Sequence, residues 1–344
     1  MSARRALASA AAAALLAAAA APVYASYRSA LRRARARVSI GSRLADTRCG
    51  PIEYAIAGEG PPVLFSHGAG GGFDQGLAVG RDVARAGFRL IAMSRFGYLR
   101  TPLPRDASAA AQADAHAALL DALEIPSAAI IGGSAGAPSA LQFALRHPER
   151  TSALVLAVPA AYAPRPDGRP PVNVPAGTVP LFATALKSDF LFWSATRVAR
   201  DTVVRAILGT PPEVLRRASA EEQQRVAQVL DDILPVSARW QGLLNDAAVT
   251  MTLERYELEK ISAPTIAFSV EDDLYGTYEC ARYTAAHIPN ARFVGYATGG
   301  HLWVGHHQEV FAEVAAFVKS NAASRRSRVV PLLRQPVGLG GAGD

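Results

Sequence analysis

Residues 130–150 read IIGGSAGAPSALQFALRHPER. An apolar run ends in two glycines, a serine, an alanine and a glycine, and apolar positions then recur at helical spacing. Gly132-Gly133-Ser134-Ala135-Gly136 fits G-x-S-x-G and stands where a strand hands over to a helix. A sharp turn there crowds the backbone, so glycines relieve the collision and leave one serine hydroxyl at the carboxyl edge of a sheet. The N–H groups that open the helix point to the same place and favour developing negative charge. The plainer reading is a glycine-rich turn with Ser134 as an ordinary N-cap. The strand–turn–helix context favours an exposed nucleophile.

Outward from this stretch, strand-like and helix-like segments alternate. PPVLFSHG (61–68), FRLIAMS (88–94), ALVLAV (153–158), APTIAFSV (263–270) and ARFVGYA (291–297) are short apolar strands. Between them GLAVGRDVARAG (76–87), ASAAAQADAHAALLDAL (107–123), YECARYTAAHI (278–288) and HQEVFAEVAAFVKS (307–320) have helical character. SRLADTRC and IEYAIAG flank Gly50-Pro51 as a β-hairpin. This order predicts an α/β fold with a doubly wound, mostly parallel sheet. The alternation breaks after ALVLAV, where a proline-rich stretch and a mainly helical region intervene. The predicted organisation is a first core part over 39–159, a helical cap over 160–255 and a second core part over 256–321. Residues 1–38 form a signal or membrane-anchor segment with a basic linker, and 322–344 a disordered tail.

A serine needs a base, and the base needs an orienting carboxylate. In this architecture they follow in the order Ser, acid, His, at the ends of later strands. TIAFSV ends in Glu271-Asp272-Asp273, and ARFVGYA runs into Thr298-Gly299-Gly300-His301. His301 is the expected base, ahead of His306 and His307, which belong to the next helix. Asp273 is the first choice for the acid, Asp272 the second and Glu271 the third. The oxyanion of a tetrahedral intermediate needs two N–H donors. Ala135, after the nucleophile, supplies one. Ala69, or failing it Gly70, supplies the other from His67-Gly68-Ala69-Gly70-Gly71-Gly72. That glycine run is not a dinucleotide fingerprint, because Phe73 stands where the last glycine is needed. An HG dipeptide at a strand end reads as structural, so His67 is not a catalytic candidate.

HGAGGG, GGSAG, EDD and GGH, in this order, resemble the α/β-hydrolase superfamily over roughly residues 45–320. Within it, the chain is similar to the group of serine esterases, C–C bond hydrolases and cofactor-free perhydrolases. The resemblance implies Ser134, Asp273 and His301 as a triad under a helical cap, acting without metal or organic cofactor on a small ester or ketone. Ser at the elbow argues against branches that carry Asp there, and HGAGGG differs from the HGGPG of proline iminopeptidases. SRFGYLRTP (94–102) replaces the usual Asp-x-x-Gly-x-Gly-x-Ser; it shapes a turn, and Arg95 and Tyr98 receive no role. The expected activity is ester hydrolysis, with C–C hydrolysis or a catalytically silent binding protein as rivals. Phe182, Phe190, Phe192, Trp193 and Trp240 line an acyl pocket or, the preferred reading, hold the cap to the sheet.

The net charge of +7 does not mark a nucleic-acid partner. Arginines at 4, 5, 28, 32, 33, 35 and 37 put +7 on residues 1–40, and residues 319–344 carry +4, leaving −4 on the body. Basic ends fit anionic lipid better than a nucleic-acid groove. MSARR followed by an alanine-rich run reads as a membrane anchor or an export signal with a cleavage site at Val23-Tyr24-Ala25. Arginines from Arg28 to Arg37 oppose translocation. Membrane association is therefore the first expectation, with a cleaved exported form and a mispredicted start as rivals. Cys49 and Cys280 are expected to be buried free thiols, or a disulfide in an exported protein.

Overall fold

Eight strands form one sheet in the order β1-β2-β4-β3-β5-β6-β7-β8 in a computed structural model that describes residues 2–164 and 187–329. The strands are β1 Arg43–Thr47, β2 Gly50–Ala57, β3 Pro62–Ser66, β4 Arg89–Met93, β5 Ala128–Gly133, β6 Thr151–Ala157, β7 Thr265–Val270 and β8 Ala291–Tyr296. The β1–β2 hairpin forms as expected, antiparallel with Arg43 opposite Tyr54. β2 also runs antiparallel to β4, and every later pairing is parallel.

Parallel strands covered on both faces should be apolar throughout, and β7 is buried at every position. Alternate residues feed two cores. Leu64, Ile130 and Ala267 face one side with helices α4 (Ala109–Ala122), α5 (Ala137–Arg146) and α11 (Thr277–His287). Val63, Phe65, Ile131 and Phe268 face the other side, with Val83, Val314 and Val318 from the helices there. The helical run expected over 76–87 is two helices, α2 Phe73–Val79 and α3 Arg81–Arg85. The chain breaks at Gly80, whose absent Cβ would meet Leu90 at 2.8 Å.

Between β6 and β7 the described chain is helical: α6 Asp189–Val198, α7 Arg200–Ile207, α8 Pro212–Arg217, α9 Ala220–Asp231 and α10 Trp240–Met251. These helices have a core of their own, containing Phe192, Trp193, Val204, Leu230 and Val236. Phe192 and Trp193 therefore sit in the core of these helices, whereas the expectation has them holding the cap to the sheet; Trp240 packs against the same core, Phe190 is exposed and Phe182 lies outside the described residues.

The N-terminal region departs from expectation. Residues Ser2–Ser39 form a single helix, α1, and its C-terminal part docks on the cap. Leu31 and Ala34 are buried, and Tyr27 packs edge-on against Phe190 at 5.1 Å. The basic linker is thus a helical strap, because apolar residues at 27, 30, 31 and 34 recur at helical spacing among the arginines. Among the described residues, no helix is long and apolar enough to cross a membrane. The last helix, α12, spans His307–Val329, so the expected tail begins as helix, and 330–344 lie outside the described residues. Cys49 is half-buried, Cys280 is buried, and no disulfide joins them.

Candidate active site

Ser134 follows β5 directly and takes φ 48°, a left-handed conformation that costs a non-glycine residue about 1–3 kcal/mol. The flanking glycines explain how the turn closes. A Cβ on Gly132 would lie 2.6 Å from that of Ala140, and one on Gly136 only 2.2 Å from Ser66 O. Strand, turn and helix therefore touch backbone to backbone. Gly133 has open space beside it, so only the outer two glycines are sterically required.

The structure brings the three expected side chains together. His301 Nε2 lies 2.9 Å from Ser134 Oγ, and His301 Nδ1 lies 2.8 Å from Asp273 Oδ2. With the proton on Nδ1 directed at the carboxylate, Nε2 accepts from the serine hydroxyl. Asp273 and His301 are both buried. Asp273 Oδ1 accepts the Tyr275 N–H at 2.9 Å, and Oδ2 accepts the Thr277 hydroxyl. Burial pushes the Asp273 carboxyl up, but His301 and these hydrogen bonds more than offset it and hold the group below the usual carboxylate range.

Asp272, the second choice, has a different task. Its Oδ1 accepts the Gly300 N–H at 2.6 Å and so ties down the loop that carries His301. Gly300 takes φ 62°, and a Cβ there would strike Thr210 of the cap at 2.7 Å. Gly209, also in the cap, accepts from the N–H of Leu274 (3.0 Å) and of His301 (3.3 Å). One cap carbonyl thus joins the acid loop to the base loop. His306 and His307 lie away from the serine: His306 stacks on Tyr296 at 4.1 Å, and His307 pairs with Asp82 at 3.3 Å.

The loop after β3 closes as a tight turn, with Gly71 N–H donating to Gly68 O at 3.2 Å and Ala69 and Gly70 at its corners. Gly68 abuts Ser134, since a Cβ there would sit 3.2 Å from Ser134 Cβ. The Gly70 N–H donates to the Tyr98 hydroxyl at 3.2 Å. The Ala69 N–H has no partner among the described residues, and Ala69 is exposed. That difference favours Ala69 over Gly70 as a donor. Ala135 is the middle residue of the short 3-10 turn Ser134–Gly136. His67 is structural, as expected. It is fully buried, its Nε2 accepts the Arg95 N–H at 3.0 Å, and Nδ1 is left to donate to Gly68 O at 2.7 Å. Burial, and then Arg95, push its pKa well below the usual imidazole value.

Arg95 and Tyr98, which received no role from sequence, belong to a buried cluster under this turn. Arg95 pairs with Asp246 of α10 through contacts of 2.7 and 2.6 Å and donates from Nε to His67 O at 2.7 Å. Tyr98 donates to Asp246 at 2.5 Å. A second buried arginine, Arg239, donates to Gly71 O and to both oxygens of Asp74 (3.2 and 2.7 Å). Sequence reasoning found neither Asp246, Asp74 nor Arg239. Among the described residues, no group of three or more His, Cys, Asp or Glu side chains is placed to hold a metal ion.

The family model for the alpha/beta hydrolase fold matches residues 61–304. The chain belongs to the α/β-hydrolase family. Among curated relatives it is 30% identical to the putative carbamate hydrolase RutD of Serratia proteamaculans, over 62% of this chain and 74% of that one. It is 36% identical to the uncharacterized hydrolase YcgS of Bacillus subtilis over 31% of this chain, a match that spans 37% of YcgS. Among solved structures, an alpha/beta hydrolase fold protein from Nakamurella multipartita superposes with a TM-score of 0.61 at 29% identity, covering 80% of this chain and 98% of that one.

Proposed function

We propose that this α/β-hydrolase is a serine hydrolase that cleaves small carboxylic esters through an acyl-enzyme. The observation that carries this reading is the hydrogen-bonded series Ser134–His301–Asp273, with links of 2.9 and 2.8 Å. Ser134 Oγ attacks the carbonyl carbon while His301 Nε2 takes the hydroxyl proton. Asp273 keeps the ring oriented and stabilises the imidazolium. The N–H groups of Ala69 and Ala135 hold the oxyanion, a contribution of about 10²–10³ in rate per donor. Collapse of the intermediate breaks the ester C–O bond, and His301 returns the proton to the leaving alkoxide. Water, deprotonated by His301, then attacks the acyl-enzyme and releases the acid and free Ser134. The sequence requires no metal or organic cofactor.

The likeness to a putative carbamate hydrolase extends the candidates to carbamates, whose carbonyl would be attacked in the same way. Ser134→Ala tests the mechanism. It should abolish turnover of a short activated ester and labelling by a fluorophosphonate probe; labelling that persists in this variant would overturn it. A wild-type screen of esters of graded chain length beside a carbamate and a diketone ranks the substrate classes.

A further inference from the structure

Arg37 lies far from the serine in sequence and sits in the basic stretch expected to be a linker. Its guanidinium is nevertheless built into the domain. Nε donates to Asp74 Oδ2 at 3.0 Å, Nη1 pairs with Asp232 Oδ1 at 3.1 Å, and Nη2 donates to the carbonyls of Asp232 (2.9 Å) and Leu234 (2.5 Å). Asp74 lies in the first turn of α2, just after the oxyanion turn, and shares the same Oδ2 with Arg239 at 2.7 Å. Arg239 has no exposed surface, and its Nη1 donates to Gly71 O. Gly71 is the residue whose N–H closes the turn around Ala69. A continuous path of charged hydrogen bonds therefore runs from α1 through Asp74 and Arg239 to the turn that carries the Ala69 N–H.

We propose that Arg37 is a positioning residue, and that α1 through it holds the oxyanion turn in its working geometry. The charges on the path are two arginines against Asp74 and Asp232, so the buried network is neutral only while Arg37 is seated. Without Arg37, Asp232 loses its cation while buried, and Asp74 retains a single arginine that must also hold Gly71 O. Burial already pushes the Asp232 carboxyl above its ordinary value, a push that Arg37 opposes. A turn displaced by a fraction of an ångström misdirects the Ala69 N–H, and oxyanion donors act only when aimed at the atom that becomes negative. Arg33, on the same helix, is exposed and among the described residues bonds locally to Ser29 at 2.8 Å, so it gives a matched charge control.

The inference rests on the serine-hydrolase reading for its kinetic arm and stands on its own in its exchange arm. Full-length wild type, Arg37→Ala, Arg37→Lys, Arg33→Ala and the charge-balanced double variant Arg37→Ala/Asp232→Asn would be compared well below their melting temperatures. On a short activated ester, Arg37→Ala should lower kcat about tenfold with KM within twofold, less than the full loss of a donor. Arg37→Lys should recover most of kcat, and Arg33→Ala should match wild type. If Arg37→Ala does not fold, the double variant is read in its place. Amide hydrogen exchange should quicken in the peptide covering Ala69–Gly72 when Arg37 is replaced by Ala. Wild-type kcat in folded Arg37→Ala (or in the double variant, where the single one does not fold), or unchanged exchange at this turn in the same variant, would overturn the proposal. A wild type inert towards esters would sink the hydrolase reading alone, and exchange would still decide the role of Arg37.

Discussion

Two glycine-rich turns meet at this site, and they are held in opposite ways. The elbow at Ser134 is held by close backbone approach: Gly132 and Gly136 let strand, turn and helix touch, and the Ser134 carbonyl accepts the Ala160 N–H at 3.1 Å. The turn proposed to hold the oxyanion is held from outside. Tyr98 takes the Gly70 N–H, Arg95 takes His67 O, and Arg239 takes Gly71 O. Those three groups are fixed in turn by Asp246 and Asp74, which pair across buried surface with little water to compete. Ser134, the proposed nucleophile, is thus placed by local steric demand, and the proposed donor to the oxyanion, the Ala69 N–H, is placed by the cap and by α1.

Breaking the external support should give the largest effect. Asp246→Ala leaves Arg95 buried without its carboxylate and should cost about 3–5 kcal/mol of stability, read as a drop in the chemical denaturation midpoint. Breaking the internal support should spare more of the fold and cost chemistry. Gly136→Ala drives a Cβ against Ser66 O at 2.2 Å and should lower kcat/KM on an activated ester about 100-fold or more, the penalty of misplacing the reacting atoms by an ångström. The smallest effect sharpens the contrast. Tyr98→Phe leaves the Gly70 N–H without its acceptor, costing about 1–3 kcal/mol, with a modest fall in kcat. If Tyr98→Phe lowered activity as far as Gly136→Ala, the turn would depend on one bond rather than on several anchors.

The same contrast explains what could be read in advance. GGSAG, EDD and GGH are short stretches whose chemistry is local, so their strand-end positions were legible from periodicity and glycine placement. The choice between Asp272 and Asp273 was not, because adjacent residues on a turn differ only in where their side chains point. One reaches His301 and the other Gly300 N–H. The anchors were illegible for a different reason. Arg95 and Asp246 are 151 positions apart, and Asp74 and Arg239 are 165 apart. A lone arginine in a loop carries no signal of its partner. The α1 strap was hidden by composition, since alanines and arginines that suggest an anchor and a linker also make a good helix.

Gly209 accepts hydrogen bonds from the residue after Asp273 and from His301, which makes the cap more than a cover. For anyone exchanging caps between relatives to change specificity, this sets the seams. A transplanted segment would have to return the chain through the Gly209–Thr210 corner and deliver an arginine and an aspartate where Arg239 and Asp246 now stand. Between those points it would also have to keep the Asp232–Leu234 corner that seats Arg37, and the Arg225 and Glu222 bonds to Leu302 O and Gly305 N–H.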